Sequence, residues 1–396
     1  MDPLPSTQRA LKVRGPGMLE LDEACPLPGF EDDEVLVRVR CVAINPVDAK
    51  VIDMAPNIGA TAGCEFAGDV VQVGPLVKNK QLKAGVAVFG CVWGNHPNRP
   101  DNGAFANFVA VAGDLLYLVP SHLSYPQCAS LGVALPTVGM AVYSQWNLRL
   151  PYPTHPVSGR TIARRDADAM EKDAARDVGN LTEPLRSALK TPREPESSQY
   201  VLVYGGSTAC GAIALQMIRK SGLVPVCTCS PHNFAMVKEL GAEEAFDYHS
   251  PTCGDDIRRY TSDNLAYTFD CITDLGSMRI CYTAMGRAGG KYMGLDPVPL
   301  RGHTRRDIKP EYVLIYTMFG KEVQSPRPFG RPARPKDRAF AEIWYRSTQV
   351  LVDTPGEIRP HPLDQGLDDL DGVIKGLDRM RKGDVSGVKL VYELKR

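Results

Sequence analysis

The chain has 396 residues, 43% apolar and 23% charged, which is ordinary globular usage and excludes a disordered or fibrous chain. Its 46 basic residues balance 46 acidic ones, so it lacks the surplus of cations that general phosphate binding on nucleic acid needs. The longest stretch without Asp, Glu, Lys or Arg, Leu115–Leu148, contains Pro120, His122, Pro126, Gln127 and Pro136, which a lipid-spanning helix avoids.

The opening residues, MDPLPSTQRA, show no basic segment followed by an apolar one, and the eleven cysteines have no framework spacing apart from Cys227-x-Cys229. Both features point to a cytoplasmic enzyme with reduced thiols. Cys41, Cys91 and Cys271 lie in apolar runs and read as core filler. Up to residue 125, short β-branched runs punctuated by Gly and Pro predict a barrel-like β domain: Glu34–Val42, Gly68–Val73, Gly85–Val92 and Phe105–Val119. A weakly charged helical stretch then runs to Leu150. Residues 152–198 are polar, charge-dense and poor in large apolar side chains, and read as a disordered insertion. It is a lid, a tether or an error of the gene model, and sequence leaves these three open.

From Tyr200 strands and helices alternate. Tyr200–Tyr204, Val224–Thr228, Glu244–Phe246, Tyr267–Ile272 and Gly290–Gly294 are the expected strands. That rhythm predicts a doubly wound parallel sheet over 126–310, and so an α/β fold class. A strand at Tyr312–Phe319, helices near 337–353 and 366–382, and a last strand at Val388–Leu394 are expected to return to the first domain over 311–396.

The strongest motif is the buried run Val201–Tyr204 leading into Gly205-Gly206-Ser207-Thr208-Ala209-Cys210-Gly211 and a helix. Glycines let backbone approach a pyrophosphate, and a helix N-terminus offers free N–H groups. Gly205, Gly206, Ser207, Thr208, Ala209 and Cys210 are therefore candidate cofactor contacts. Strand–helix packing alone is the alternative. The next strand ends Ser230-Pro231-His232-Asn233, without the acid that an NAD site uses on the ribose. Ser, His and Asn donate to a 2′-phosphate, so the preference is read as NADPH. Ser230 also suits a helix cap, and Tyr248 either covers the adenine or is rim packing.

Residues 43–50 (AINPVDAK), 62–74 (AGCEFAGDVVQVG), 103–111 (GAFANFVAV) and 387–394 (GVKLVYEL) resemble the medium-chain dehydrogenase/reductase superfamily. The resemblance implies a GroES-like catalytic domain over 1–125 and a Rossmann NADPH domain over 126–310. Zinc members carry Cys and His where this chain has Asn45 and Cys64, and its structural zinc loop is missing, so no metal is expected. A narrower resemblance, to the trans-acting enoyl reductases of fungal polyketide synthases (lovastatin type), is carried by NPVDAK (45–50), SLGVALPTVG (130–139), CSPHNF (229–234), GAEE (241–244) through Asp247-Tyr248, and FDCIT (269–273).

That resemblance implies hydride transfer from NADPH to the β-carbon of an enoyl thioester. The thioester is held by the acyl carrier protein domain of a polyketide synthase or synthase–peptide synthetase hybrid. Lys50 and Thr137 are the catalytic candidates it implies. Cofactor contacts extend to Val47, Asp48, Ala49, Leu295, Asp296, Val385 and Ser386. The acyl chain falls to Val138, Gly139, Met140, Ala141, Val142, Tyr143, Ser144 and Gln145, and to Tyr316, Thr317, Met318, Phe319 and Gly320; simple core is the alternative. Two other functions compete: a free-standing quinone or alkenal reductase, and a silent NADPH-binding scaffold of a synthase.

Two surface expectations complete the reading. Residues 301–338 hold ten Lys/Arg against four Asp/Glu, a candidate docking patch for an acidic carrier protein, probed by reversing Arg305 and Arg306. Pro297 and Pro299 follow the expected edge strand Gly290–Leu295, which disfavours edge pairing and points to a monomer.

Overall fold

The computed structural model describes residues 4–146 and 199–395. The expected insertion at 152–198 lies outside the described residues. The chain forms two units, 1–134 with 360–396 and 135–359. The expected boundaries at 125 and 311 thus fall elsewhere: the second unit starts nearer 135 and keeps the chain as far as 359.

In the first unit β1 (Thr7–Gly15) and β2 (Met18–Pro26) form an antiparallel hairpin that sequence patterning did not single out. β3 (Glu34–Ala43), β4 (Glu65–Val73), β5 (Ala87–Cys91), β6 (Phe108–Ala112) and β7 (Leu116–Leu118) build the main sheet. The expected run Phe105–Val119 is therefore two strands, broken by a turn at Gly113–Leu115. β3 is the hub, pairing antiparallel with β4 and, through residues 34–38, with β6. Its apolar positions meet Phe66, Val88 and Val109 in one core, the arrangement a sheet with one buried face requires. The helix Pro46–Met54 starts with proline at its first turn, where the missing N–H costs nothing. The helix Tyr125–Ala129 follows, capped by the Ser124 hydroxyl.

In the second unit the chain past Ala134 is helical to Trp146, with a π-helical turn at Gly139–Tyr143. Then come β8 (Tyr200–Tyr204), β9 (Val224–Thr228), β10 (Glu244–Phe246), β11 (Tyr267–Asp270), β12 (Gly290–Gly294) and β13 (Ile308–Tyr312). They form one parallel sheet in the order β10-β9-β8-β11-β12-β13, with Val203 opposite both Cys227 and Phe269. The helices Ala209–Lys220, Phe234–Glu239, Cys253–Tyr260 and Leu275–Ala284 alternate with the strands.

Two expectations are corrected here. The strand expected at Tyr312–Phe319 is instead β13 followed by a 3-10 turn, Ile315–Phe319, closed by Gly320 at φ +74°. β12 is not an edge strand, because β13 pairs with it along its length. The edges are β13, with Pro310 at its centre, and the three-residue β10. A proline that cannot donate and a very short strand both blunt sheet edges. The helix Pro335–Asp353 also belongs to this unit.

The chain returns to the first unit as β14 (Leu363–Gly366), the helix Asp369–Arg381 and β15 (Lys389–Glu393). β15 pairs antiparallel with β3 through residues 41–43, beside the stretch that β6 occupies.

Candidate active site

The expected site residues are divided between the units. Val47, Asp48, Ala49, Lys50, Val385 and Ser386 stand in the first; all others, including Thr137, stand in the second.

In the second unit the glycine turn crosses the carboxyl ends of the central strands, where open α/β sheets bind ligands. Gly205 sits at φ +81°, a conformation that L side chains avoid. A Cβ at Gly211 would lie 2.2 Å from the Gly205 carbonyl oxygen, so the helix start and the turn pack backbone to backbone. The Thr208 hydroxyl donates to the Gly205 carbonyl (2.8 Å) and accepts the Gly211 N–H (3.0 Å). Thr208 is thereby a helix cap inside the turn, which limits its expected role to backbone contact. Thr228 pins the turn from the neighbouring strand, its hydroxyl accepting the Gly205 N–H at 3.1 Å.

The end of β9 carries no acid. Ser230 makes no cap hydrogen bond; its hydroxyl lies 3.3 Å from that of Tyr248. His232 is exposed, while Asn233 is buried and its Nδ2 has no hydrogen-bond partner among the described residues. A buried donor left without a partner is costly, and an anionic group bound there relieves it. Tyr248 is 36% exposed and lies 6.1 Å from Tyr204, a flat surface of the kind a base covers. On the other side of the turn, Thr273 Oγ1 accepts the Leu295 N–H at 2.9 Å and the Asp296 N–H at 3.4 Å, which holds both residues at the same strand-end edge. The turn, Ser230–Asn233, Tyr248, Leu295 and Asp296 are thus brought together, and they fit a dinucleotide.

Thr137 is buried at 5% exposure. Of the expected acyl-chain residues, Val138, Met140, Ala141, Val142 and Tyr143 are all buried. Gly139 packs against the Trp344 indole, which a Cβ would meet at 2.5 Å. Trp344 Nε1 donates to the Leu135 carbonyl (3.0 Å), and the Tyr143 hydroxyl lies 2.8 Å from Ser221. Core packing therefore accounts for these side chains. Ser144 is half-buried and Gln145 exposed. Around the second stretch, Thr317 and Met318 are buried and Tyr316, Phe319 and Gly320 half-buried.

In the first unit Lys50 is exposed on the 46–54 helix, with Val47 half-buried and Asp48 and Ala49 buried. Val385 packs against the first unit's core and Ser386 is exposed. Burial pushes the Asp48 carboxyl up to about 6, although it accepts the Asn45 N–H at 2.8 Å. Beside it lies a polar cluster that sequence reasoning missed. Asn45 Nδ2 donates to Glu65 Oε2 (2.5 Å) and Cys64 Sγ (3.5 Å). The Lys389 ammonium lies 2.5 Å from Asn45 Oδ1 and 2.9 Å from Glu65 Oε2, and the Val133 N–H donates to Glu65 Oε1 at 3.1 Å. Glu65 is fully buried and Lys389 nearly so. The signal was a lysine set between apolar neighbours at the start of the strand K-L-V-Y-E, visible but not singled out. These groups do not suit a metal. Burial pushes the Cys64 thiol up, Asn45 offers a neutral amide, and an ammonium already sits among them. Among the described residues no cluster of His, Cys, Asp and Glu forms a metal site.

A GroES-like barrel with a doubly wound sheet and a dinucleotide turn defines an oxidoreductase of the medium-chain dehydrogenase/reductase type. The alcohol dehydrogenase GroES-like domain family matches residues 31–121. An alcohol dehydrogenase superfamily protein from Novosphingobium aromaticivorans superposes with a TM-score of 0.70 at 20% identity, covering 98% of this chain and 100% of that one. The CurK enoyl reductase gives 0.67 at 14% identity, covering 98% and 100%. Sequence comparison is more specific. The chain is 43% identical over 396 residues to the trans-enoyl reductase opdC of Penicillium oxalicum, covering 100% of this chain and 99% of the relative. It is 43% identical to the trans-enoyl reductase apdC of Emericella nidulans, covering 98% of each, and 38% identical to tenC of Beauveria bassiana, covering 98% and 97%. The chain belongs to the trans-enoyl reductases.

Proposed function

We propose that this enoyl reductase uses NADPH to saturate the α,β-double bond of a polyketide thioester held on the acyl carrier protein of a separate synthase. The full-length identity to trans-enoyl reductases carries the proposal. The NADPH preference is supported by the acid-free end of β9 and the unpartnered Asn233 amide. Among the described residues no helix is long and apolar enough to cross a membrane. Blunted sheet edges accord with a monomer.

The nicotinamide, when bound, supplies a hydride. Delivered to the substrate's β-carbon, that hydride would leave negative charge on the thioester oxygen, and a proton drawn ultimately from solvent would complete the α-carbon. The backbone N–H groups after Gly206 hold the pyrophosphate, and Ser230, His232 and Asn233 donate to the 2′-phosphate. Lys50 and Thr137 are assigned to the cofactor's reactive end and the enolate oxygen, where a preorganised donor contributes a few kcal/mol. Lys50→Ala and Thr137→Ala test the assignment: each should lower kcat with the enoyl thioester at least tenfold with the thermal midpoint kept. Full activity in both would remove it.

A further inference from the structure

We propose that an arginine-walled cleft on the second unit is the docking face for the acidic surface of the carrier protein that presents the substrate. This rests on the function proposed above and assigns its partner a place. The cleft, of about 620 Å³, is walled by Arg258, Arg279, Arg287, Arg301 and Arg305, with Asp307 as its lone acid. It runs between the 253–260 and 275–284 helices and the 300–307 turn.

The arginines divide by what already holds them. Arg305 is structural: its guanidinium donates to the Tyr282 and Met285 carbonyls (2.9 Å each) and the Gly286 carbonyl (2.7 Å), closing the end of the 275–284 helix. It also pairs with Asp307. Of the two arginines chosen from sequence for charge reversal, Arg305 is unsuited, since reversal would strip three backbone carbonyls of their donor, and Arg306 is exposed but does not line the cleft. Arg258 is paired with Asp255 at 2.6 Å. Arg279 and Arg301 are exposed and make no ion pair among the described residues, and Arg287 is 90% exposed with Asp263 at 3.6 Å. Elsewhere in the basic 301–338 stretch Arg338 pairs with Glu342 (2.8 Å) and Arg331 lies over the Tyr312 ring, while Arg306 and Lys309 are exposed outside the cleft.

Arg279 and Arg301, exposed and without an ion-pair partner among the described residues, leave positive charge on this face that favours an acidic counter-surface. Two apolar side chains stand beside them, Leu275 at 45% and Leu300 at 88% exposure. Cations around an apolar knob fit an acidic amphipathic helix better than a small anion, which needs convergent buried donors. The place also suits delivery. Leu275 opens its helix at the strand-end edge that carries the glycine turn, and that helix spans only about 15 Å.

The test is the full-length double variant Arg279→Glu/Arg301→Glu. It is assayed with crotonyl thioester on a purified acyl carrier protein, with carrier binding followed by fluorescence anisotropy. Expected is at least a tenfold rise in KM and in carrier Kd, with kcat, NADPH affinity and thermal midpoint kept. Arg279→Lys/Arg301→Lys should restore both, and wild-type KM should climb with ionic strength. Unchanged carrier KM and Kd in the Glu variant overturn the docking site while leaving the reductase standing. A wild type that reduces free thioesters but neither binds nor reduces the carrier-bound one overturns the docking site and the carrier together. A wild type that reduces no enoyl thioester overturns the function itself.

Discussion

Lys389→Met removes the one ammonium from the buried cluster of the first unit while keeping most of the side chain's volume. Lys389 is 4% exposed, and its Nζ lies 2.9 Å from the Oε2 of Glu65, itself fully buried. After substitution Glu65 keeps hydrogen bonds from Asn45 Nδ2 and the Val133 N–H but loses its counter-charge, and Asn45 Oδ1 loses its donor. Breaking a buried pair from one side costs about 3–5 kcal/mol. Adding Glu65→Gln removes the stranded charge, so the double variant should cost only about 1–2 kcal/mol. At about 2–4 °C per kcal/mol for a unit of this size, the single variant should melt roughly 6–20 °C lower. Guanidinium unfolding of wild type, both single variants and the double variant gives the cycle. A loss below about 1 kcal/mol in Lys389→Met, or a double variant no more stable than the single, refutes the reasoning.

Ser230→Asp places a carboxylate at the end of β9 and should raise the Kd for NADPH at least tenfold while sparing NADH; equal effects on both cofactors, by fluorescence titration, would exclude a 2′-phosphate there. Gly211→Ala sets a Cβ 2.2 Å from the Gly205 carbonyl and should weaken both cofactors by at least tenfold; unchanged affinity would show that the turn does not hold the pyrophosphate. His361 is kept neutral by burial and then by the Lys389 charge, its pKa pushed down from 6.5 to about 4. The unfolded chain therefore takes up this proton first as pH falls, so His361 costs about 3 kcal/mol of stability between pH 6.5 and 4. Asp48, raised to about 6, works in the opposite sense below that value, so wild type alone is uninformative. His361→Gln should gain about 3 kcal/mol relative to wild type on going from pH 7 to 4; parallel curves would refute this.

The parallel strands were legible because each is a short apolar run between glycine or polar turns, and β8, β9 and β10 sit where patterning placed them. β13 was missed because I-K-P-E-Y is polar at alternate positions and carries a proline, the pattern of an exposed edge. The apolar Tyr316–Phe319 drew the strand assignment instead, yet its residues pack as a tight turn. The glycine turn was readable because only glycine tolerates its backbone. The Asn45–Glu65–Lys389 cluster was not, since its members are far apart in sequence and are joined by β15 pairing with β3. Arg305 shows the same limit: composition counts its charge, but only the fold shows that three carbonyls already use it.

NADPH absorbance with an enoyl thioester on an acyl carrier protein, against free enoyl thioester, quinone and NADH controls, tests the central claim most directly. The account predicts rapid NADPH oxidation with the carrier-bound thioester, formation of the saturated acyl chain, and weak use of quinone and NADH. Fast quinone turnover with no reduction of any enoyl thioester would contradict it.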